Sequence, residues 1–221
     1  MRIVVTCGPS SEPLDQVRRL TNSSTGSLGL FLAAAFAQAG HDVLCLRGSG
    51  ATARLLAPGF PIQSFTTTED LARELRALAQ TGSIDAIFHA AALSDFRVAS
   101  VQDLEGRPIR SGKIKSDAPC LLTLVPSPKL LLELRKLFAY AFLAGWKFEV
   151  EGDREAAISC GRRQILAART DLCVVNGPAY GTGFGLLTRA GTFLPALDRQ
   201  SLARLLLEQL ACWDEERIRQ G

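Results

Sequence analysis

The sequence has few of the residues that build metal sites. It contains only two histidines, His41 and His89, and none of its six cysteines forms a Cys-x-x-Cys pair. Structural zinc is held by histidine and cysteine ligands at characteristic spacings, so the sequence predicts no structural metal site. Scattered cysteines of this kind are instead typical of buried, reduced thiols.

Long apolar runs are also absent. No apolar stretch approaches the ~20 residues of a membrane-spanning helix, and the first run, Ile3–Cys7, is too short for the core of a signal peptide. The 25 basic and 22 acidic residues give a formal net charge of +3. This balance favours neither a nucleic-acid-binding surface nor a membrane-binding surface. We therefore expect a cytoplasmic protein whose partners are small anions.

The sequence does contain a regular alternation of short apolar runs with longer helical patterns. With 221 residues and 47% hydrophobic content, we expect one domain, 1–221. The alternation indicates a Rossmann-like, doubly wound α/β fold with a mostly parallel sheet. The predicted strands are Ile3–Cys7, Val43–Leu46, Ala86–Ala90, Ala141–Ala144 and Leu172–Val175. The predicted helices are Leu28–Ala39, Glu69–Ala79, Pro128–Leu137, Arg154–Ala168 and a closing helix from about Asp198 to Cys212.

The alternation changes near the C-terminus. Phe184–Thr188 and Thr192–Leu194 flank a turn-like Arg-Ala-Gly, which predicts a β-hairpin extension. Edge strands here and in other extended segments are expected to pair between subunits.

Two connections are longer than the ~2 to 6 residues usual in α/β units. They are Gly8–Thr25 and Leu93–Cys120, which follow the first and third predicted strands. Long loops usually carry function, and ligands of open α/β sheets bind beyond the carboxyl ends of the strands. We therefore expect the two loops to form the functional site.

Five ordered segments carry a resemblance along nearly the whole chain. They are Glu12–Gly29, with Glu-Pro-Leu-Asp-x-Val-Arg and then Asn22; His89–Arg97; Gly112–Pro128, with Gly-Lys-Ile-Lys; Ala144–Glu149; and Asp171–Asn176. Together they resemble the motifs of phosphopantothenoylcysteine synthetases, the phosphopantothenate-cysteine ligases of coenzyme A biosynthesis. The resemblance implies a ligase that activates 4'-phosphopantothenate with CTP or ATP, in the presence of Mg²⁺, and joins it to cysteine. It also implies a homodimer and, without the flavoprotein decarboxylase domain of many members, a stand-alone enzyme with no flavin.

The resemblance assigns roles to residues of both long loops. It implies that Lys113 is the catalytic lysine, that Asn22 holds the acyl group while an amine attacks, and that Arg18 binds the terminal phosphate of the substrate. Two anions meet when a carboxylate attacks a phosphate, so fixed cations are needed. The residues alone leave alternatives open: a solvated loop lysine, a helix-capping asparagine and a surface arginine.

Further binding residues follow from the same resemblance. Substrate-binding residues would be Ser24, Thr25 and Gly26, where hydroxyls and backbone amides precede a helix. Nucleotide-binding residues would be Gly8, Ala91, Asp95, Lys115, Gly145, Trp146, Lys147 and Asn176. Asp95 could instead be a helix N-cap. The chain departs from the family pattern at Gly177 (usually aspartate), Trp146 (phenylalanine), Ser27 (often lysine) and Ser116, which ends the lysine motif early.

Two other functions fit part of the pattern. Gly26 and Gly29 open a predicted helix beside a strand, as in a nicotinamide-dependent reductase, but they lack the Gly-x-Gly-x-x-Gly spacing. Neither Tyr140 nor Tyr180 is followed four residues later by lysine. A non-catalytic nucleotide-binding module is the second alternative.

Overall fold

The structure, a computed structural model, describes residues 1–54, 59–110 and 112–220, without the side chain of residue 220. Its strands are β1 (Arg2–Cys7), β2 (Ser11–Pro13), β3 (Arg19–Thr21), β4 (Asp42–Gly48), β5 (Ile62–Phe65), β6 (Ala86–His89), β7 (Phe96–Gln102), β8 (Leu121–Pro126), β9 (Phe142–Phe148), β10 (Leu172–Asn176), β11 (Phe184–Thr188) and β12 (Phe193–Ala196). Its helices are α1 (Ser27–Gln38), α2 (Thr68–Thr81), α3 (Leu130–Leu137), α4 (Arg154–Ala168) and α5 (Arg199–Gln220).

One large sheet runs through the described part of the chain. Its eight strands follow the order β12-β11-β10-β9-β6-β1-β4-β5, and the six from β10 to β5 are parallel. The predicted mostly parallel α/β fold is confirmed. β11 and β12 continue the sheet as an antiparallel pair, which confirms the predicted C-terminal hairpin. The outermost strand, β12, contains Pro195, a residue without a backbone N–H.

The core divides between the two faces of the sheet because alternate residues of a strand point to opposite sides. Ile3 and Val5 pack with α1 and α5, whereas Val4 packs with α2 and α3. Helix α1 approaches the end of β1 so closely that a Cβ atom at Gly29 would overlap the side chain of Cys7. This close packing places the first turn of α1 beside the carboxyl end of β1.

The structure differs from the sequence prediction in one edge strand, two small strand pairs and the end of one helix. The edge strand β5 was not predicted, because Ile62 and Phe65 alone give it no clear apolar pattern. The two long loops contain small antiparallel pairs, β2–β3 and β7–β8, which lie outside the large sheet. Helix α5 extends to Gln220, beyond the predicted end at Cys212.

The extra turns of α5 are polar and are joined by ion pairs within the helix. Arg217 pairs with Asp214 at 2.7 Å, and Arg219 pairs with Glu215 at 3.2 Å. Such pairs support a helix without an apolar face, which explains why apolar periodicity missed this part. Among the helices that the structure describes, none has the length and hydropathy needed to cross a membrane.

Candidate active site

The two long loops begin side by side at the carboxyl end of the sheet. β1 and β6 are parallel neighbours, and their pairing continues past the strand ends as an isolated bridge between Pro9 and Ala92. The N–H of Ala92 donates to the carbonyl of Gly8 at 2.9 Å, and the N–H of Ser10 donates to the carbonyl of Ala92 at 3.2 Å. The loop chains that bear Asn22 and Lys113 are therefore joined from their first residues.

A buried polar network fixes the start of the first loop to helix α2. One carboxylate oxygen of Glu12 accepts from the N–H and the hydroxyl of Thr68, at 2.9 and 2.7 Å. The hydroxyl of Ser10 accepts from the N–H of Ser94 in the second loop, at 2.9 Å. A carboxylate at a helix N-terminus is favourable, since the helix dipole is positive there. Glu12 is thus a site-building residue to which sequence reasoning assigned no role.

Asn22 connects the two loops through its amide. Its Nδ2 donates to the carbonyls of Leu93, at 2.9 Å, and Ala92, at 3.3 Å. Helix α1 begins at Ser27 with Gly26 as its N-cap, so Asn22 does not cap this helix. The capping alternative is excluded, and the amide instead lies on the seam between the loops.

The N-terminus of α1 completes this side of the site. Gly8 and Gly26 both have positive φ angles, of 77° and 74°. A Cβ atom at Gly26 would lie 3.3 Å from the backbone of Gly8, so the two glycines allow the chains to pack directly together. Gly26 makes no side-chain cap, and the hydroxyl of Thr25 accepts from the N–H of Ser27 at 3.3 Å.

One cation at this helix end was missed by sequence reasoning. Arg199, the first residue of α5, donates from Nη2 to the hydroxyl of Ser27 at 3.1 Å. Ser27 is the position at which many members of the resembled family carry lysine. The guanidinium therefore supplies positive charge near this position from a residue 172 places away in the chain, a distance over which no local motif could reveal it.

The Lys113 loop is docked on the first loop through Ile114. The N–H of Ile114 donates to Asp15 Oδ2 at 3.0 Å, and its carbonyl accepts from Arg18 Nη1 at 3.0 Å. Lys113 and Lys115 flank the buried Ile114 and are themselves exposed. Ser111, which belongs to the same loop, lies outside the described residues. The structure thus brings the predicted asparagine and lysine loops together.

Arg18 is held within this contact rather than lying free on the surface. Its Nη1 also donates to Asp15 Oδ2 at 3.0 Å. Hydrogen bonds from the backbone N–H groups of Arg18 and Ile114 lower the pKa of Asp15 to about 2, so its carboxylate is ionised at neutral pH. The Arg18 side chain is 39% exposed but bound at its guanidinium, and its role in phosphate binding stays a prediction.

Asp95 lies at the end of the second loop nearest β6. It precedes strand β7 rather than a helix, which excludes the helix-cap alternative. Its carboxylate pairs with Lys129, and its carbonyl accepts from the N–H of Ser127 at 2.8 Å. Both groups of Asp95 thereby connect the second loop to the segment before α3.

The remaining predicted residues lie on β9 and β10. Gly145 pairs in register with His89, but a Cβ atom on it would contact Gln164 of α4 at 2.7 Å, so this glycine permits close helix packing. The indole Nε1 of Trp146 is buried and has no hydrogen-bond partner among the described residues. Lys147 pairs with Glu149 at 3.0 Å.

The departure at Gly177 has a structural cause. Its φ angle is 114°, and a Cβ atom there would overlap the backbone of Glu149. The N–H of Glu149 donates to the carbonyl of Asn176 at 2.9 Å, which holds the two chains close together. An aspartate cannot occupy position 177 unless the Glu149 segment moves.

Metal ligation by protein side chains is limited at this site. In the ranges covered by the structure, no group of three or more histidine, cysteine, aspartate or glutamate residues is placed to hold a metal ion. Mg²⁺ bound to a triphosphate needs few protein ligands, because phosphate oxygens and water complete its shell. The few possible protein ligands at this site are therefore compatible with Mg²⁺ that binds together with a nucleotide.

The sequence match is extensive. Residues 1–211 match the family described as the DNA/pantothenate metabolism flavoprotein C-terminal domain. The chain belongs to this family. The phosphopantothenoylcysteine synthetase resemblance of the motifs is thereby confirmed at the level of the family.

The curated relatives are longer proteins. The chain is 32% identical over 216 residues to the coenzyme A biosynthesis bifunctional protein CoaBC of Thermococcus kodakarensis, a match that covers 97% of this chain and 50% of the relative. It is 28% identical over 226 residues to CoaBC of Bacillus subtilis, with 97% and 52% covered. The chain thus spans about half the length of the curated relatives that it matches.

Solved structures of the family share the fold. The DNA/pantothenate metabolism flavoprotein of Streptococcus pneumoniae is 24% identical, with a TM-score of 0.85 over 96% of this chain and 99% of that one. A Cab2 variant in complex with phosphopantothenate-cysteine is 16% identical, with a TM-score of 0.76 over 98% and 88%. At these identities the agreement concerns the fold.

His89, at the carboxyl end of β6, generates a prediction about pH. It is buried, its Nδ1 lies 2.9 Å from the hydroxyl of Thr6, and burial lowers its pKa to about 4. The unfolded chain binds a proton on this histidine near pH 6.5, whereas the folded chain does not. Stability should therefore fall as the pH drops from about 6.5 to 4, at up to roughly 1.4 kcal/mol per pH unit.

Urea unfolding of the wild type and of His89→Gln, at pH 4.5 and 7, measures this dependence. The wild type should lose about 1–3 kcal/mol more stability than the variant between the two pH values. His41→Gln is the comparison at the second histidine. Partial burial also lowers the pKa of His41, so this variant should remove a smaller part of the wild-type loss than His89→Gln does. An identical loss in the wild type and His89→Gln would contradict the prediction.

Proposed function

We propose that the protein is a phosphopantothenate-cysteine ligase of coenzyme A biosynthesis. The observation that carries the proposal is the contact between the Asn22 loop and the Lys113 loop, through Asp15 and Ile114, at the carboxyl end of the sheet. Membership of the family and the relatives named CoaBC support the same reaction class.

The first step forms an acyl-nucleotide. A carboxylate oxygen of phosphopantothenate attacks the α-phosphorus of the nucleoside triphosphate, the bond to the β-phosphate breaks, and pyrophosphate leaves. Negative charge accumulates on the phosphate oxygens in this step, and ammonium groups offset it. Lys113 and Lys115 are suited to this work because the buried Ile114 between them holds their backbone in place.

The second step forms the amide. The amine of cysteine attacks the acyl carbonyl, the bond to the nucleotide phosphate breaks, the nucleoside monophosphate leaves, and the amine loses a proton to solvent. Asn22 Nδ2 is fixed by two carbonyls of the second loop, which orients its Oδ1 as an acceptor. Neither step transfers electrons, so no flavin takes part.

The N-terminus of α1 is the proposed site for the phosphate of phosphopantothenate. The N-cap Gly26 offers no side chain to the backbone N–H groups of the first turn, of which the Ser27 N–H donates to Thr25 Oγ1, and Ser24, Thr25 and Gly26 lead into the helix. Arg199 adds a guanidinium beside Ser27. Arg18, which donates to the carbonyl of Ile114 in the Lys113 loop, is the second cation proposed for this phosphate.

The nucleotide is proposed to lie across the ends of β6, β9 and β10. The residues that border this region are Gly8, Ala91, Asp95, Gly145, Trp146, Lys147 and Asn176. Mg²⁺ bound to the triphosphate would be held mainly by phosphate oxygens and water, and it would supply positive charge for the departing pyrophosphate. The nucleotide is CTP or ATP. The buried indole N–H of Trp146, which has no hydrogen-bond partner among the described residues, is a donor on this side of the sheet.

The β7–β8 hairpin is the proposed surface for a homodimer. Its register places Phe96, Val98, Val101, Leu122 and Leu124 on one face. Three of these large side chains, Phe96, Leu122 and Leu124, are 48%, 44% and 43% exposed. A two-stranded ribbon is marginally stable alone. A second copy can cover this face with its own identical face through a two-fold axis.

The ligase assay tests the proposed function. Purified protein with 4'-phosphopantothenate, cysteine, Mg²⁺ and either CTP or ATP is expected to release pyrophosphate and nucleoside monophosphate. Comparison of the two nucleotides identifies the co-substrate. Absence of product with both nucleotides would favour the non-catalytic alternative, and oxidation of NADPH with a carbonyl substrate would favour the reductase.

Replacement of the lysine tests its assignment. Lys113→Ala is expected to lower kcat by ~100-fold or more, the usual effect of removing one group that stabilises developing charge. Lys136→Ala is the matched control, because Lys136 is exposed on α3, away from both loops. Equal activity in the two variants would return Lys113 to the role of a solvated loop lysine.

Sedimentation analysis tests the dimer. Leu124→Asp places a charge on the apolar face of the β7–β8 hairpin and is expected to convert the dimer to a monomer, because burying an unpaired carboxylate is costly. Leu166→Asp, at an exposed leucine of α4, is the control and should sediment like the wild type. A monomeric wild type, or a dimeric Leu124→Asp variant, would contradict this surface.

A further inference from the structure

The Asp15 carboxylate makes more contacts than a turn requires. Its Oδ1 accepts from the backbone N–H groups of Val17 and Arg18, at 2.8 and 2.6 Å. Its Oδ2 accepts from the backbone N–H of Ile114, at 3.0 Å, and from Arg18 Nη1, at 3.0 Å. The three bonds from Val17 and Arg18 are local, but the bond from Ile114 joins segments 99 residues apart in the chain.

The N–H, the carbonyl and the side chain of Ile114 are all in contact with the rest of the protein. Its N–H reaches Asp15, its carbonyl accepts from Arg18, and its side chain is 5% exposed. One further backbone bond, from the N–H of Gln16 to the carbonyl of Gly112 at 2.9 Å, fixes the chain on the other side of Lys113. The backbone of Lys113 is therefore bracketed by contacts to the first loop.

We propose that Asp15 is a positioning residue for the ligase reaction, which holds the Lys113 backbone against the Asn22 loop by binding the N–H of Ile114. This inference rests on the proposed function and adds a residue to it. A carboxylate is suited to the role because it is acceptor-only and can receive four donors at once. Its side chain is 2% exposed, so water competes little for these donors.

Asparagine, which has nearly the same shape as aspartate, cannot make the same contacts at position 15. In Asp15→Asn, one oxygen becomes an NH₂ group, so two donors would face each other either at Ile114 or at the local turn. The loop between β7 and β8 would then lose its directed contact, and Lys113 would sample positions away from the reacting phosphate. Misplacement of a catalytic group by about 1 Å can cost ~100-fold in rate.

The hydrogen bond between the Asp15 carboxylate and the N–H of Ile114 is kept throughout the physiological pH range. The pKa of Asp15 lies below its ordinary value, at about 2, because the folded state stabilises the ionised form. Protonation would weaken the contact only as the pH falls through that value. Asp15 therefore acts as a fixed support for the loop and not as a pH switch.

Asp103 is a matched control within the same connection. Its Oδ1 accepts from the N–H groups of Glu105 and Arg107, and its Oδ2 accepts from Arg107 Nε at 2.7 Å. Like Asp15, it is an aspartate that closes a turn and pairs with an arginine. Unlike the bonds of Asp15, those of Asp103 stay within residues 103–107 and do not reach the first loop.

Steady-state kinetics of Asp15→Asn, Asp103→Asn and Lys113→Ala form the first test. Asp15→Asn is expected to lower kcat by about 10–100-fold, with a smaller change in KM for phosphopantothenate, because Arg18 keeps its bond to the carbonyl of Ile114. Asp103→Asn should keep wild-type kcat. In the Lys113→Ala background, Asp15→Asn should lower kcat little further, because the effects of substituting residues that act as a unit are not additive.

Hydrogen exchange of the Ile114 amide, with limited trypsin cleavage after Lys113, is the second test and needs no turnover. Both should accelerate by about tenfold or more in Asp15→Asn and stay unchanged in Asp103→Asn, since only the former opens the contact. Wild-type kcat in Asp15→Asn, or full additivity with Lys113→Ala, overturns the positioning role and leaves the ligase proposal standing. A wild-type protein without ligase turnover overturns both, even if exchange of Ile114 depends on Asp15.

Discussion

The backbone hydrogen bonds between Gly8, Ser10 and Ala92 are the interaction on which the candidate site depends. They extend the parallel pairing of two central strands by a few residues beyond the sheet. Everything that follows in each loop starts from this shared point. Without it, a loop of eighteen residues and one of about twenty-eight would have to meet by chance, at a large cost in chain entropy.

Beyond the ends of the strands, hydrogen bonds of polar side chains hold the two loops in place. Buried carboxylates are costly unless each is satisfied, and a fully satisfied polar network is rigid. Glu12 directs the first loop to the N-terminus of α2, whereas Asp15 directs the second loop back onto the first. The site is therefore a network of side-chain-to-backbone contacts that stands on the end of a conventional apolar core.

The apolar pattern of the sequence predicted most of the large sheet and all five helices in outline. It worked for strands such as β1 and β10, whose apolar runs report burial on both faces. It failed for the β7–β8 hairpin, because the exposed residues of this ribbon do not follow the usual relation between apolar character and burial. It also ended α5 too early, where ion pairs rather than core contacts support the helix.

The site was predictable to a smaller extent. The family motifs identified the two loops, but they did not reveal what Glu12 and Asp15 do. Each of these carboxylates binds a partner 56 to 99 residues away, and no local pattern encodes such a distance. The same limit explains Arg199, which reaches the start of α1 from the C-terminal helix.

The proline of strand β12 has a consequence for the protein in crowded solution. Open strands at the rim of a sheet invite other chains to add, and repeated addition leads to fibrils. Pro195 interrupts the row of donors that an incoming strand would need. One rim of the sheet is thus poorly suited as a template for aggregation.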